Sequence, residues 1–188
     1  SMQRYGLLNK YQLNVDRDNF DYLYLSLEFS ELAGKKFEKK RNRLKKFLHT
    51  FPDHQIIDYQ RPHLEEVLSF TQEGAVSCLN LPEVYCHNII SKGLQDDLFQ
   101  GFFVRVGEAI AGILFYSELN PQTIVVHTEL IDPQYDGVSA LLNQYLGQKV
   151  ASRYKYINRE QDMGLPGLRQ SKLSYRPYRL LKKYDILI

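Results

Sequence analysis

Apolar and polar residues alternate along Tyr11–Val15 and Phe20–Leu25, with aromatic side chains among them, and this period of two predicts strands. Ser26 is placed to cap a short helix through Ala33, which Gly34 closes. A second helix is predicted over about Lys36–Phe51, where Phe37, Leu44, Phe47, Leu48 and Phe51 keep helical spacing. Its other faces are almost wholly basic, and Pro52-Asp53 stops it. His54–Tyr59 reads as a short strand, Pro62 opens a helix to about Leu79, and Pro82 opens another to about Leu98. Gly101–Val106 and Ala109–Ser117 read as strands joined by Gly107-Glu108, a tight hairpin with glycine first. Asn120-Pro121 makes the next turn, Thr123–Ile131 is a third strand, and Asp132-Pro133 breaks it. Gly137 to about Tyr154 reads as a helix with Val138, Leu141, Leu142, Tyr145 and Leu146 on its apolar side. Lys155–Asn158 and Tyr184–Ile188 read as strands, and residues 159–177 as a polar loop punctuated by Gly and Pro.

A chain of 188 residues suits one domain and can bury a sizeable core. Residues 1–10 read as a tag and lead-in, with Ser1 before Met2 resembling a cloning scar, and 11–188 as a single domain. No apolar run approaches the roughly 20 residues that span a bilayer, and the start has no signal-peptide pattern. Cys78 and Cys86 are read as reduced, buried small hydrophobes of a cytoplasmic protein. The net charge of +2 conceals an asymmetry: residues 35–46 carry +7, residues 153–188 carry +6, and the remainder carries −11. Two basic blocks in an otherwise acidic chain point to a phosphate-bearing partner, such as a nucleic acid or an anionic lipid surface.

The order helix, helix, strand, hairpin, strand, helix, strand is that of the GNAT-type N-acyltransferase fold, an α/β (α+β) architecture with a mixed central sheet flanked by helices. In that fold the helix after the central strand receives the pyrophosphate of acyl-CoA. Gln134, Gly137 and Ser139 stand where such a phosphate loop belongs, and free N–H groups at a helix start favour an anion. Asp136 in the same loop opposes one.

Three stretches resemble a known family. The first is Gly34-Lys-Lys-Phe-Glu-Lys-Lys-Arg-Asn42, continued by Phe47 and Phe51-Pro-Asp. The second is Glu129 at a strand end, followed by Asn143 in a helix. The third is Tyr156-Ile-Asn-Arg-Glu-Gln-Asp-Met-Gly164, then Gly167-Leu-Arg-Gln-Ser-Lys-Leu-Ser-Tyr175 and Pro177. Together they resemble the phosphatidylglycerol lysyltransferase C-terminal family, from about Asp16 to Tyr184. The resemblance implies a GNAT-type fold, two tandem lobes of which this chain looks like the second, and transfer of an aminoacyl group from aminoacyl-tRNA to a lipid hydroxyl.

An aminoacyl ester is already activated, so such an enzyme must hold the tRNA end, deprotonate the acceptor and stabilise an oxyanion. Lys39, Lys40 and Arg41 suit the first task, with Asn42 set to bond a sugar or the backbone. Glu129 is the candidate base, because partial burial favours the protonated carboxyl; a salt bridge to an arginine is the other reading. Arg159, Glu160, Asp162, Arg169 and Lys172 form the densest charged cluster, able to grip a carboxylate, phosphate or ammonium. Arg159–Asp162 and Glu160–Lys172 ion pairs are the structural alternative. Tyr175 is a candidate oxyanion donor, and His127 with Glu129 a possible acid–base pair on one strand side. The five histidines lack metal spacing, so no metal is expected, and no cofactor is required beyond a possible acyl-CoA. The competing functions are an acyl-CoA-dependent N-acetyltransferase and a non-catalytic domain that binds nucleic acid or an anionic membrane surface.

Overall fold

The structure, a computed structural model, describes residues 12–72 and 83–187, with side chains at 14–72 and 87–185. The elements run β1 (Gln12–Val15), β2 (Asp21–Leu25), α1 (Ser26–Glu31), α2 (Glu38–Thr50), β3 (Gln55–Asp58), α3 (Leu64–Gln72), α4 (Glu83–Gln95), β4 (Gln100–Val106), β5 (Ala109–Asn120), β6 (Thr123–Ile131), α5 (Val138–Val150), β7 (Tyr156–Asn158), α6 (Pro166–Ser174), β8 (Arg179–Leu181) and β9 (Tyr184–Leu187). The predicted continuation of α3 to Leu79 lies outside the described residues, as do Cys78 and the side chain of Cys86. Gly107 has φ +60° and opens the β4–β5 hairpin, as its position requires.

One sheet has the order β3-β4-β5-β6-β7-β2-β8, and β1 pairs with β9 apart from it. Among the described strands only β6 and β7 are parallel, and they pair over three residues, Thr123–Val125 against Tyr156–Asn158. Beyond Val125, β6 continues to Ile131 without β7 beside it, so the sheet opens as a wedge at the carboxyl ends of two parallel strands. That is where open α/β sheets place their ligands.

A core covers each face. On one, Tyr22, Tyr24, Leu114, Tyr116, Ile124, Val126 and Ile157 pack against α1, α2 and α5. Gly147 of α5 permits this, because a Cβ there would lie 2.3 Å from the Ser30 backbone N. On the other face Phe103, Ile113, Phe115 and Leu130 pack with Val67 and Phe70 of α3 and Ile90 and Leu94 of α4. Full burial of each such side chain is worth about 1.5–3 kcal/mol.

A bulge in β6 decides which residues share a face. Phe115 pairs with Thr128, but Tyr116 pairs with Val126, so His127 is an extra residue. Val126 and Ile131 belong with the first core, and Leu130 with the second. The alternation therefore changes phase at His127, which separates it from Glu129. The expected acid–base pair of these two does not exist.

Residues 159–177 are not a loop throughout, since Pro166–Ser174 forms α6. Its buried positions are Leu168 and Lys172, followed by Tyr175 just past its end. The stripe keeps helical spacing but includes a lysine, so hydrophobicity alone does not display it.

Candidate functional site

Glu129 on β6 and Arg159 just after β7 meet at the wedge. Arg159 Nη2 donates to Glu129 Oε2 at 2.6 Å, and the side chains are 7% and 12% exposed. Ser139 Oγ and Asn143 Nδ2, one turn apart on α5, donate to Glu129 Oε1 at 2.6 and 3.0 Å. Both carboxylate oxygens are thus committed to donors. Glu129 anchors Arg159 and α5; it is not the free base expected of it.

Three polar atoms in this neighbourhood are buried without a partner among the described residues: Arg159 Nη1, Asn143 Oδ1 and the Tyr175 hydroxyl. The Arg159 guanidinium lies over the Tyr175 ring at 5.3 Å and the Tyr24 ring at 5.9 Å. Phe29 packs at a tilt against both rings, at 4.9 Å from Tyr24 and 5.1 Å from Tyr175. Unpaired buried donors and acceptors are costly and native proteins keep few of them, so three together mark a place for a polar ligand. Burial, reinforced by the Glu129 charge and only partly opposed by Arg159 and the neighbouring Ser139 side chain, raises the Tyr175 phenol far above its ordinary range, so it stays a donor.

A groove of about 910 Å³ lies between α2 and α6 and shares Lys40 with the edge of this chamber. Lys35, Lys36, Lys39, Lys40, Arg43 and Arg176 line it, against Glu38 as the one carboxylate. Lys40 lies between groove and chamber, with its ammonium 3.9 Å from the Tyr175 ring centroid. Lys40, Leu44 and Phe47 share the inward stripe of α2, which Phe37 begins just before the helix, and this explains why Lys40 alone of the helix's lysines is partly buried. Burial first, then the charges of Arg159 and Arg43, lower its pKa to about 8.

Lys172 is the counterpart on α6. Its Nζ donates to the carbonyls of Arg159 and Gln161, each at 2.5 Å, and so ties α6 to the segment that follows β7. Burial and the Arg159 charge lower its pKa to about 7, and a neutral amine still offers the two N–H groups these carbonyls need.

Several expected site residues turn out to build the frame. Asp162 is fully buried and bonded by Arg17, Tyr22, Arg169 and the Gly164 N–H. Burial alone would favour its protonated form, but the bonds from Arg169, Tyr22 and Gly164 hold it well below the ordinary carboxylate range. Arg169 is spent on Asp162 and Asp18, so neither residue is available to a substrate. The anticipated Arg159–Asp162 and Glu160–Lys172 pairs are replaced by these. Arg41 donates to the Leu32 and Gly34 carbonyls at 2.5 and 2.6 Å, closing the end of α1 rather than facing the groove. Asn42 is exposed and is not among the groove-lining residues. Glu160 lies across the sheet with His127.

The Gln134–Ser139 loop does not fit an acyl-CoA pyrophosphate. A Cβ on Gly137 would lie 2.4 Å from the Arg43 carbonyl, so α2 already covers this helix start. Gly137 has φ +101°, which glycine alone adopts cheaply. The N–H groups of Val138, Ala140 and Leu141 are bonded to Tyr135 and Gly137 carbonyls. Gln134 bonds Asp132, Ser139 bonds Glu129, and Asp136 pairs with Lys46. Among the described residues no group of three or more His, Cys, Asp or Glu is placed to hold a metal ion, and no helix is long and apolar enough to cross a membrane.

Comparison with known proteins agrees with this architecture. A conserved protein of unknown function from Bacteroides thetaiotaomicron is similar over 100% of this chain and 66% of its own, at 30% identity and a TM-score of 0.85. L-PGS from Bacillus licheniformis is similar over 97% of this chain and 63% of its own, at 16% identity and a TM-score of 0.65. The chain therefore spans just under two thirds of each. A GCN5-related N-acetyltransferase from Kribbella flavida matches 99% of this chain and 39% of its own, at 11% identity and a TM-score of 0.50. No curated protein matches. The mixed sheet with its wedge is a GNAT-type fold, and the domain is acyltransferase-like in architecture. Residues 1–187 match the model of the phosphatidylglycerol lysyltransferase C-terminal family, and the chain belongs to that family.

Proposed function

We propose that this domain transfers an acyl group of aminoacyl type from a polyanionic carrier, with aminoacyl-tRNA as the carrier that best suits the groove. One observation carries the reading. A groove lined by six cations ends at Lys40, and behind Lys40 stand the unpartnered Arg159 Nη1, Tyr175 hydroxyl and Asn143 Oδ1. The groove cations neutralise carrier phosphates. The ester end passes Lys40, and its carbonyl oxygen accepts from Arg159 and Tyr175, whose hydrogen bonds strengthen as negative charge develops in the tetrahedral intermediate. The Asn143 oxygen accepts from the α-ammonium of the aminoacyl group. Lys40, with its pKa near 8, in its neutral form takes the acceptor's proton as the acceptor bonds the carbonyl carbon, and returns it to the carrier's oxygen as the ester C–O bond breaks. The acceptor, for which the family name suggests an anionic lipid, enters from the exposed side of the groove. The domain acts as the second lobe of a two-lobed protein.

The test is binding of charged and uncharged tRNA across a salt series, followed by deacylation of the charged form as a function of pH. Steep salt dependence, preference for the charged form and a rate rising through about pH 8 are expected from the Lys40 value. Lys40→Met removes the rise while binding persists. Salt-dependent binding blind to the aminoacyl group, with no turnover, favours instead a non-catalytic polyanion-binding domain, which the groove alone would support.

A further inference from the structure

On the opposite face of the wedge lies a second group of reactive side chains that the proposed transfer does not use. Ser117 Oγ on β5 is 2.8 Å from His127 Nε2. His127 Nδ1 is 3.4 Å from Glu160 Oε1, a residue that follows β7. The order hydroxyl, imidazole, carboxylate is that of an activated nucleophile, a base and the group that orients the base. Glu160 beside Nδ1 favours the tautomer with its proton there, leaving Nε2 free to accept from Ser117. Distances of this size are ordinary for a relay with no substrate bound.

The chain pays in backbone regularity to assemble this group. His127 is the extra residue of the β6 bulge, and bulges re-aim side chains beside active sites. Glu160 has φ +52°, an uncommon conformation for a residue with a side chain. Its N–H donates to Asn158 Oδ1 at 2.8 Å, which fixes the turn. Phe99 lies flat on the imidazole, with ring centroids 4.4 Å apart and planes 20° apart, and so closes one side of it. The side chains of His127 and Glu160 are 21% and 39% exposed, so a small solute reaches them.

We propose that Ser117, His127 and Glu160 form an esterase site, separate from the groove, that takes small activated carboxylic esters. Ser117 Oγ attacks the ester carbonyl carbon, and its proton passes to His127 Nε2. The Oγ–C bond forms, the C–O bond to the alcohol breaks, and the departing alkoxide takes the proton back from His127. Water then attacks the acyl-serine by the same route, which releases the acid and restores Ser117. Ser117 and His127 are the catalytic residues, and Glu160 positions the imidazole. His127 is the one hydrogen-bond partner of the Ser117 side chain among the described residues. Among the described residues no further side-chain donor bonds Ser117, and a missing oxyanion donor costs about 10²–10³ in rate. Activated esters are therefore the expected substrates, and amides are not.

The test treats the whole chain with a fluorophosphonate probe, maps the label by peptide mass, and follows p-nitrophenyl acetate hydrolysis in parallel. Labelling at Ser117 is expected, abolished by Ser117→Ala. His127→Gln lowers its rate about 10²-fold or more, with circular dichroism unchanged. Glu160→Gln lowers the maximal labelling rate on the order of tenfold and leaves the half-saturating probe concentration unchanged, a split that a purely structural role does not produce. Saturating the groove with tRNA at low salt leaves labelling unchanged. The proposal is overturned by label spread over other serines, by wild-type labelling in a folded His127→Gln, or by loss of labelling when tRNA binds. The first two leave the groove reading intact.

Discussion

Arg159 and Glu160 are adjacent in sequence, yet they serve opposite faces of the sheet. Arg159 enters a sealed face, where it meets Glu129 and the rings of Tyr24 and Tyr175. Glu160 enters an open face, where it meets His127 and stays partly exposed. Both are charged and both have one partner of opposite character, but burial gives them different roles. On the sealed face every charge must be answered by a neighbour, so Glu129 is fully bonded and two lysines lose protons readily. On the open face solvent does that work, and the side chains need no such network.

The comparison breaks most visibly at Arg159. Arg159→Met leaves Glu129 buried with Ser139 and Asn143 but no counter-charge. Removing one partner of a buried pair costs about 3–5 kcal/mol. For a chain of this size that lowers Tm by roughly 10 °C, at about 2–4 °C per kcal/mol. Thermal unfolding of the variant checks it. A loss of one or two degrees means that water reaches Glu129 and that the face is not sealed.

Lys172 sharpens the same point through pH. Burial and Arg159 hold it at about 7, whereas a lysine of the unfolded chain titrates near 10.5. Between those values the unfolded chain binds the proton and the folded chain does not. Stability therefore rises with pH across the window, by at most about 1.4 kcal/mol per pH unit. Below pH 7 both states are protonated and the contribution is flat. Urea unfolding at pH 7, 8 and 9 reads the slope, and Lys172→Met removes it. An equal slope in the variant assigns the effect to another group.

How much of this was legible in sequence differs between the two faces for physical reasons. The central strands β4–β6 and helix α5 show in the apolar pattern, because their buried positions carry apolar side chains. The resemblance named Glu129, Asn143, Arg159 and Tyr175, which the fold brings together. It could not distinguish them from Asp162 and Arg169, which bond each other, since all are charged or polar residues of the same stretches. Lys40 and Lys172 did carry a signal in their positions on the inward stripes of α2 and α6, but a lysine there reads as a break in the stripe. Ser117 carried none. It meets His127 across two strands, and the β6 bulge that aims the imidazole leaves no mark in the spacing of apolar residues.

The smallest effect is expected on the open face, and it tests the comparison from that side. The His127–Glu160 contact is partly exposed, and such a pair contributes about 0–1 kcal/mol. His127→Gln, Glu160→Gln and the double variant form a thermodynamic cycle, and Gln at position 160 inherits the same backbone demand as Glu. The coupling from urea unfolding at pH 7 is expected to stay below about 1 kcal/mol, and each single variant to change Tm by no more than about 4 °C. A coupling of 3 kcal/mol or more, on the scale of a buried pair, would mean that this carboxylate is structural, as Glu129 is. A small coupling beside a large cost at Arg159 separates the faces: the buried one fixes its charges through one another and so presents a preset arrangement to a ligand, and the exposed one leaves its charges loosely coupled.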